Sequence, residues 1–384
     1  MLNEADKDWL EAVLSKIRTK MNRVSEKSKN KIPYTTGPDG SHDDRNTVNP
    51  TGTEADGINW WTNGFWGGMM WLMHHETGED KYRSIAGISE QLLDRCFQEY
   101  SGLHHDVGFM WLPTSVASYK VTGNPESRKR ALHAANLLAG RFNPAGGFIR
   151  AWNEVEDSDT RGWAIIDCMF NIPLLYWATE ETGDPRFKQI AVSHADTAME
   201  AFVRPDGSVN HIVEFDPFSG GSIRTHGGQG YGEGSSWTRG QAWGLYGFMM
   251  SFIHTGKQEY LDTAKRIAHY FIANIPGDGI IPVDFRQPAE PKLEDDTAAV
   301  IAACGLIEIA KAVGELEQQM YLAPALKLIQ AVEARCDWSE QTDAIVLRGS
   351  GAYHAKQHHH PIIYGDYYLL EAVFKLKGND LYLW

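Results

Sequence analysis

Apolar positions recur at helical spacing along most of this chain. Trp9, Leu10, Val13, Leu14, Ile17 and Met21 share one face, as do Leu261, Ala264, Ile267, Ala268, Phe271, Ile272 and Ile275. That period belongs to amphipathic helices packed on one side. A repeated turn punctuates the helical runs. Thr77-Gly78-Glu-Asp-Lys-Tyr82 recurs as Thr122-Gly123-Asn-Pro125, Thr182-Gly183-Asp-Pro-Arg-Phe187 and Thr255-Gly256-Lys-Gln-Glu-Tyr260, with weaker copies at Val313-Gly314 and Lys377-Gly378. A glycine after an apolar periodic run stops a helix in the left-handed conformation, and the polar residues and Pro beyond it open the next one. Each copy therefore predicts a helix–turn–helix. Six of them over 384 residues predict an all-α fold, the (α/α)6 barrel, in which six inner helices are ringed by six outer ones. An open solenoid of the same hairpins is the alternative. Short β stretches are expected in loops, near residues 207–215 and 280–285, where Gly or Pro interrupts the helical pattern. No linker divides the chain, so residues 1–384 are expected to form one domain.

The repeat also predicts where polar chemistry gathers. Counting back from each turn glycine to the start of the preceding helix reaches Asn63, Asp106, Asp167, Arg239 and Asp296. If those helices form the inner ring, the five residues meet at one mouth of the barrel, where helix N-termini also favour anions. Asp167 lies in the apolar run Trp163-Ala-Ile-Ile-Asp-Cys-Met-Phe-Asn171. One reading makes it an N-cap or a hydrogen-bonded core carboxylate. The other gives it a raised pKa, so that it donates and accepts a proton near neutral pH. Asp106, in Leu103-His-His-Asp-Val-Gly-Phe109, looks more like a helix cap, yet it is a second carboxylate at the same level.

Composition narrows the chemistry. With 36 Lys and Arg against 50 Asp and Glu, the net charge is −14, which excludes a basic coat for nucleic acid or anionic membrane. No run of eighteen apolar residues and no signal-peptide pattern is seen, and the four cysteines form no C-x-x-C pair. A cytoplasmic protein is expected. Adjacent histidines at 104–105 and 358–360 match no zinc spacing, so neither a metal nor another cofactor is expected. The Gly-rich stretch 219–234 lacks G-K-[ST] and reads as a loop over the mouth, with Ser235 or Ser236 capping the next helix. Thirteen Trp serve either as core filler or as stacking surfaces for sugar rings. Trp60, Trp61, Phe65, Trp66, Trp111, Trp152, Trp237 and Trp243 fall near the carboxylate end, which favours a sugar pocket. Arg239, in Trp237-Thr-Arg-Gly-Gln-Ala-Trp243, either satisfies nearby carbonyls or carboxylates or, in an acidic protein with an aromatic mouth, is a bidentate partner for a substrate carboxylate.

Trp61-Thr-Asn-Gly-Phe-Trp66, His104-His-Asp-Val-Gly-Phe109, Ile165-Ile-Asp-Cys-Met-Phe-Asn171, Trp237-Thr-Arg-Gly-Gln-Ala-Trp-Gly244 and Tyr364-Gly-Asp-Tyr-Tyr-Leu-Leu-Glu371 together resemble the unsaturated glucuronyl hydrolases, glycoside hydrolase family 88. The resemblance runs over nearly the whole chain. It implies release of a 4-deoxy-Δ4,5-unsaturated uronic acid from the non-reducing end of lyase-made oligosaccharides, by hydration of the C4=C5 vinyl ether. It implies Asp167 as general acid/base, Asp106 as its partner carboxylate and His211 as the group that positions water. Gln229, Trp237, Arg239 and Trp243 would surround the uronate, and Trp61, Phe65, His105, Trp152 and Tyr353 would line the sugar pocket. Where members that favour sulfated glycosaminoglycans carry Ser-x-x-Ser-x-Lys, this chain reads Gly351-Ala-Tyr-His-Ala-Lys356. Only the Lys remains. The unsaturated rhamnogalacturonyl hydrolases, with the same chemistry on pectin fragments, are the near alternative. An isomerase like the N-acylglucosamine 2-epimerases and a non-catalytic sugar-binding protein are the other classes weighed.

Overall fold

The computed structural model describes residues 2–46, 57–98, 100–153, 159–379 and 381–384. Its helices, in chain order, are α1 (Glu4–Lys27), α2 (Phe65–Thr77), α3 (Asp80–Leu92), α4 (Val107–Trp111), α5 (Ala117–Thr122), α6 (Pro125–Ala139) and α7 (Pro173–Thr182). There follow α8 (Pro185–Ala201), α9 (Thr238–Thr255), α10 (Gln258–Ala273), α11 (Asp296–Ala312), α12 (Glu315–Glu333) and α13 (Ile363–Lys377). A π-helical turn, Leu112–Val116, joins α4 to α5, so these three make one inner helix interrupted at Pro113. The inner ring runs α2, α4–α5, α7, α9, α11 and α13, and α13 packs back on α2 to close it. The outer ring is α3, α6, α8, α10, α12 and α1.

The Thr-Gly turns work by local hydrogen bonding. Gly78, Gly123, Gly183 and Gly256 cap their helices at φ of 72°, 69°, 73° and 70°, the left-handed region glycine enters without a Cβ clash. The preceding threonines, Thr77, Thr122, Thr182 and Thr255, each donate to the carbonyl four residues back. Each also accepts from the backbone N–H two residues on, at 3.2 Å. The hydroxyl thus ends one helix and orients the next. The two weak copies behave differently. Gly314 has φ −66° and begins α12 rather than stopping α11. Gly378 does stop α13 at φ 91°, but α13 finds its outer partner in α1, from the other end of the chain.

Inner helices are buried around most of their circumference, as on α11, where every residue from Asp296 to Ala310 is buried. Outer helices bury one stripe, such as Tyr260, Leu261, Ala264, Ile267, Ala268 and Phe271 on α10. Aromatic rings fill the barrel axis: Phe65, Phe109, Phe170, Trp243, Tyr368 and Trp384 contact one another at centroid distances of 4.7–6.2 Å. The barrel is therefore plugged, and a ligand can enter only above this layer.

Two small sheets stand at the mouth: β1 (Phe142–Asn143) with β2 (Phe148–Ile149), and the antiparallel set β3 (Trp163–Ile165), β4 (Ile212–Phe215) and β5 (Ser222–His226) in the order β3-β4-β5. The stretch expected near 207–215 contains β4. Residues 280–285 form only isolated bridges, Pro282 with Glu294 and Asp284 with Trp237. The first half of the Gly-rich stretch is strand β5 rather than loop. Among the described residues, no helix is long and apolar enough to cross a membrane.

Candidate active site

A cavity of about 370 Å³ opens above the aromatic layer. Backbone hydrogen bonds tie its walls together segment by segment. His105 N–H donates to Ala151 O, Ala151 N–H to Trp163 O, and Ile166 N–H to His211 O, at 3.2, 2.8 and 3.1 Å. Tyr353 N–H then donates to Gln229 O at 2.8 Å, and Gln229 N–H to His211 Nδ1 at 3.0 Å. The β3–β4 register sets the central pair. Ile165 lies opposite Ile212, so Asp167, two residues past Ile165, and His211, one before Ile212, come face to face. His211 Nε2 lies 3.9 Å from Asp167 Oδ1. Neither atom has a protein hydrogen-bond partner among the described residues.

Of the residues singled out in the sequence, Asp106, Asp167, Trp61, His105, Trp152, Gln229 and Arg239 stand on the cavity wall. The others do not. Phe65 and Trp243 are fully buried in the aromatic layer, Phe65 against Trp61 and Trp243 against Phe109. Trp237 is buried between His211 and the Arg239 guanidinium, at 4.3 and 4.6 Å from its ring. Tyr353 packs on Tyr231 at 4.9 Å. His211 is buried behind Gln229, with Nε2 directed at Asp167 rather than exposed to the cavity. The wall also takes in Trp60, His104 and Ile165, from stretches the sequence marked out, and Asn59, Gly102 and Asn153, which it did not.

Neither carboxylate is a helix cap. Asp106 occupies the N-cap position of α4 but its side chain caps nothing. Asp167 falls in the 3-10 turn Ile166–Phe170. Burial pushes the Asp167 carboxyl up to about 7, against the opposing pull of the Arg239 charge. Asp106 is raised well above the usual carboxylate range, by burial first and by the Asp167 charge second. His104 Nδ1 lies 3.3 Å and His105 Nε2 3.4 Å from the Asp106 oxygens. Burial holds both imidazoles neutral, lowering His104 to about 3. His211 is likewise lowered to about 3, by burial and by Arg239. Because His211 Nδ1 accepts from Gln229 N–H, the neutral ring carries its proton on Nε2, the atom aimed at Asp167.

Arg239 is only 1% exposed and is engaged by the protein itself. Its Nη1 donates to Asp295 Oδ2 at 2.5 Å and Ser350 O at 2.7 Å, and Nη2 donates to Gly351 O. Of the two readings of Arg239, these bonds match the one in which it satisfies nearby carbonyls and a carboxylate, and they leave little of its fork free; Gln229 Nε2 donates to the same Gly351 O at 2.6 Å. Asp295, the N-cap of α11, was not anticipated. The acid run Glu294-Asp-Asp296 before Thr297 is the signal that marks it. Asp296, expected at the mouth, turns instead to Arg335 at 3.4 Å, and Asn63 is buried donating to Gly57 O and Ile58 O. Ser235 and Ser236 do not cap α9. Its N-cap, Trp237, makes no side-chain cap, and Asp284 instead accepts from Ser236 N–H and Tyr231 N–H, pinning the Gly-rich segment.

No family model matches the chain. A relative described as an unsaturated glucuronyl hydrolase, from Bacillus sp. strain GL1, is 40% identical over 339 residues, 84% of this chain and 88% of its own. The chain belongs to the unsaturated glucuronyl hydrolase family. An unsaturated chondroitin disaccharide hydrolase from Streptococcus pyogenes serotype M1 is 34% identical over 326 residues, 82% of this chain and 80% of its own. The crystal structure of the unsaturated glucuronyl hydrolase responsible for degradation of glycosaminoglycan in Bacillus sp. GL1 superposes with a TM-score of 0.87, covering 97% of both chains. Its identity is 34% over that longer superposition. This chain is accordingly a glycosidase with the (α/α)6 barrel of its family.

Proposed function

We propose that this enzyme releases the 4-deoxy-Δ4,5-unsaturated uronic acid from the non-reducing end of lyase-generated oligosaccharides, with Asp167 as its general acid/base. One observation carries the residue assignment: Asp167 is a carboxyl at the cavity wall, titrating near neutrality, with an oxygen unpartnered by protein and facing the Nε2–H of His211. A group that both gives and takes a proton works best when its pKa lies near the working pH.

The steps follow from the chemistry of a vinyl ether. The Asp167 carboxyl delivers its proton to C4, and the C4=C5 π electrons form the new C–H bond. The cation left at C5 is stabilised by the ring oxygen. Water adds to C5 and gives its proton to the Asp167 carboxylate, so the net change is addition of one water. The resulting hemiketal opens to a C5 ketone, and C1, now a hemiacetal, collapses and expels the aglycone as an alcohol. His211 Nε2–H orients the water by donating to its oxygen. Asp106 holds ring hydroxyls. Trp61 and Trp152 offer ring faces to the sugar. Arg239 and Gln229 form the uronate end, Arg239 through its charge more than through a free fork.

Glycosaminoglycan disaccharides are the substrate class favoured, with chondroitin the first to test. The whole chain, 1–384, would act as one catalytic domain, and the four unpaired cysteines support a reducing, cytoplasmic setting. The test is the ultraviolet absorbance of the conjugated C4=C5 carboxylate in sulfated and unsulfated unsaturated chondroitin disaccharides. Wild type should abolish it, and Asp167→Asn should be slower by at least about 100-fold. Turnover confined to a rhamnose aglycone would move the assignment to the rhamnogalacturonyl hydrolases. Flat traces on chondroitin, gellan and pectin fragments alike would overturn it.

A further inference from the structure

A third polar side chain, with no part in the steps above, joins the Asp106 carboxylate to the main chain at Asp167. Asn171 is fully buried, one residue past the 3-10 turn that carries Asp167. Its Nδ2 donates to Asp106 Oδ1 at 3.1 Å and to the backbone carbonyl of Asp167 at 3.2 Å. Its Oδ1 accepts from Phe109 N–H, in the first turn of α4, at 2.9 Å. Both ends of the amide are therefore spent joining the segment that holds Asp106 to the segment that holds Asp167. The fit is tight. A Cβ on Gly108 would come within 2.4 Å of Asn171 Cα, so only glycine allows the two segments to approach this closely.

We propose that Asn171 is the positioning residue of the carboxylate pair, fixing the distance between Asp106 and Asp167 and holding Asp106 in the state that accepts a hydrogen bond. This rests on the hydration chemistry proposed above. The asymmetry of its bonding is the point. The amide donates to the Asp106 carboxylate, but on the Asp167 side it reaches only the main chain. Asp106 is thereby favoured as the acceptor, and the Asp167 carboxyl is left without an amide partner, free to exchange its proton with C4 and water.

The other groups facing Asp106 do not supply this asymmetry. His104 and His105, from its own segment, are neutral. Asp167 and Cys168, on the 3-10 turn, only disfavour its charge. Arg141, before β1, favours it from a distance and is itself turned to Arg150 O, Ala151 O and Asn153. Loss of a donor to the ionised form raises an acid's pKa. Removing the Asn171 amide should therefore move the pH–rate bell upward.

The test compares Asn171→Asp and Asn171→Ala with wild type. Asn171→Asp keeps the shape and the acceptor for Phe109 N–H but loses the donated bond, and Asn171→Ala removes both. In each, kcat should fall about 10- to 100-fold, with KM within about twofold. The pH optimum should rise by about one unit, the worth of one hydrogen bond to a charged group. A purely structural asparagine would instead lower Tm and the folded fraction, leaving the pH profile and kcat per folded molecule unchanged. That result in whichever variant folds would overturn the proposal. Asp167→Asn run in parallel separates the two claims. If it is inert while both Asn171 variants keep the wild-type profile, only the role of Asn171 fails. If Asp167→Asn is itself active, the hydration assignment fails first.

Discussion

A carboxyl held near neutrality inside a protein carries a stability cost as well as a chemical advantage. The folded-state pKa of Asp167 is raised to about 7, above the value near 4 of an unfolded chain. Between those values the folded state binds the proton and the unfolded state does not, so stability falls as pH rises through this window and the loss is complete above about 7. Asp167→Asn removes the ionisation. It should therefore be more stable than wild type at pH 8, by about 1–3 kcal/mol or several degrees in Tm, and close to equal at pH 4. Thermal melts of the two proteins at both pH values check this. A variant no more stable at pH 8 would mean that Asp167 is better solvated than its surroundings indicate. The gain in stability with loss of activity is the pattern expected where function keeps a strained group. The resemblance of the motifs named Asp167, but its titration could not be read from sequence, because the burial that raises it and the Arg239 charge that opposes it arise only once distant segments pack together. Asn171 stands inside the motif that carries Asp167, yet its part is not legible there, since its bond to Asp106 spans 65 residues.

At the scale of elements, what was legible was what is local. The Thr-Gly turns could be read because each hydroxyl bonds within four residues of itself, and the barrel followed from their recurrence. The β3–β4 pairing could not, because residues 163–165 and 212–214 meet only once the ring has formed. That sheet is what faces His211 toward Asp167. Aromatic positions were legible as buried or near the mouth, but not as wall or floor. Trp61 and Trp152 reach the cavity, whereas Phe65 and Trp243 lie under it, and apolar periodicity is the same for both. Within the Gly-rich segment, Gly228 has φ 56°, and a Cβ there would lie 2.0 Å from His211 Nδ1. Gly228→Ala should displace the Gln229 N–H that fixes the His211 tautomer. The expected outcome is a loss of kcat/KM of at least about 10-fold, with the protein still folded by circular dichroism. Unchanged kinetics would show that the Gln229–His211 bond has no part in turnover.

The whole molecule is acidic, at −14, while the proposed substrate is an anion. Long-range electrostatics therefore do not attract it, and recognition falls to a short-range site in which Arg239, compensated by Asp295, keeps one positive charge at the cavity wall. The barrel supplies the rest: a plugged axis that limits depth, a rim of loops tied by backbone hydrogen bonds, and a buried wall position that holds one carboxyl near neutrality. In the proposed reaction the double bond, not the glycosidic bond, is the site of attack. This is tested most directly by proton NMR of an unsaturated chondroitin disaccharide turned over in D2O. The expected result is loss of the vinyl C4 proton signal together with release of the amino sugar, with one deuteron delivered to C4 in wild type and none in Asp167→Asn. Release of the amino sugar with the vinyl signal intact would contradict it.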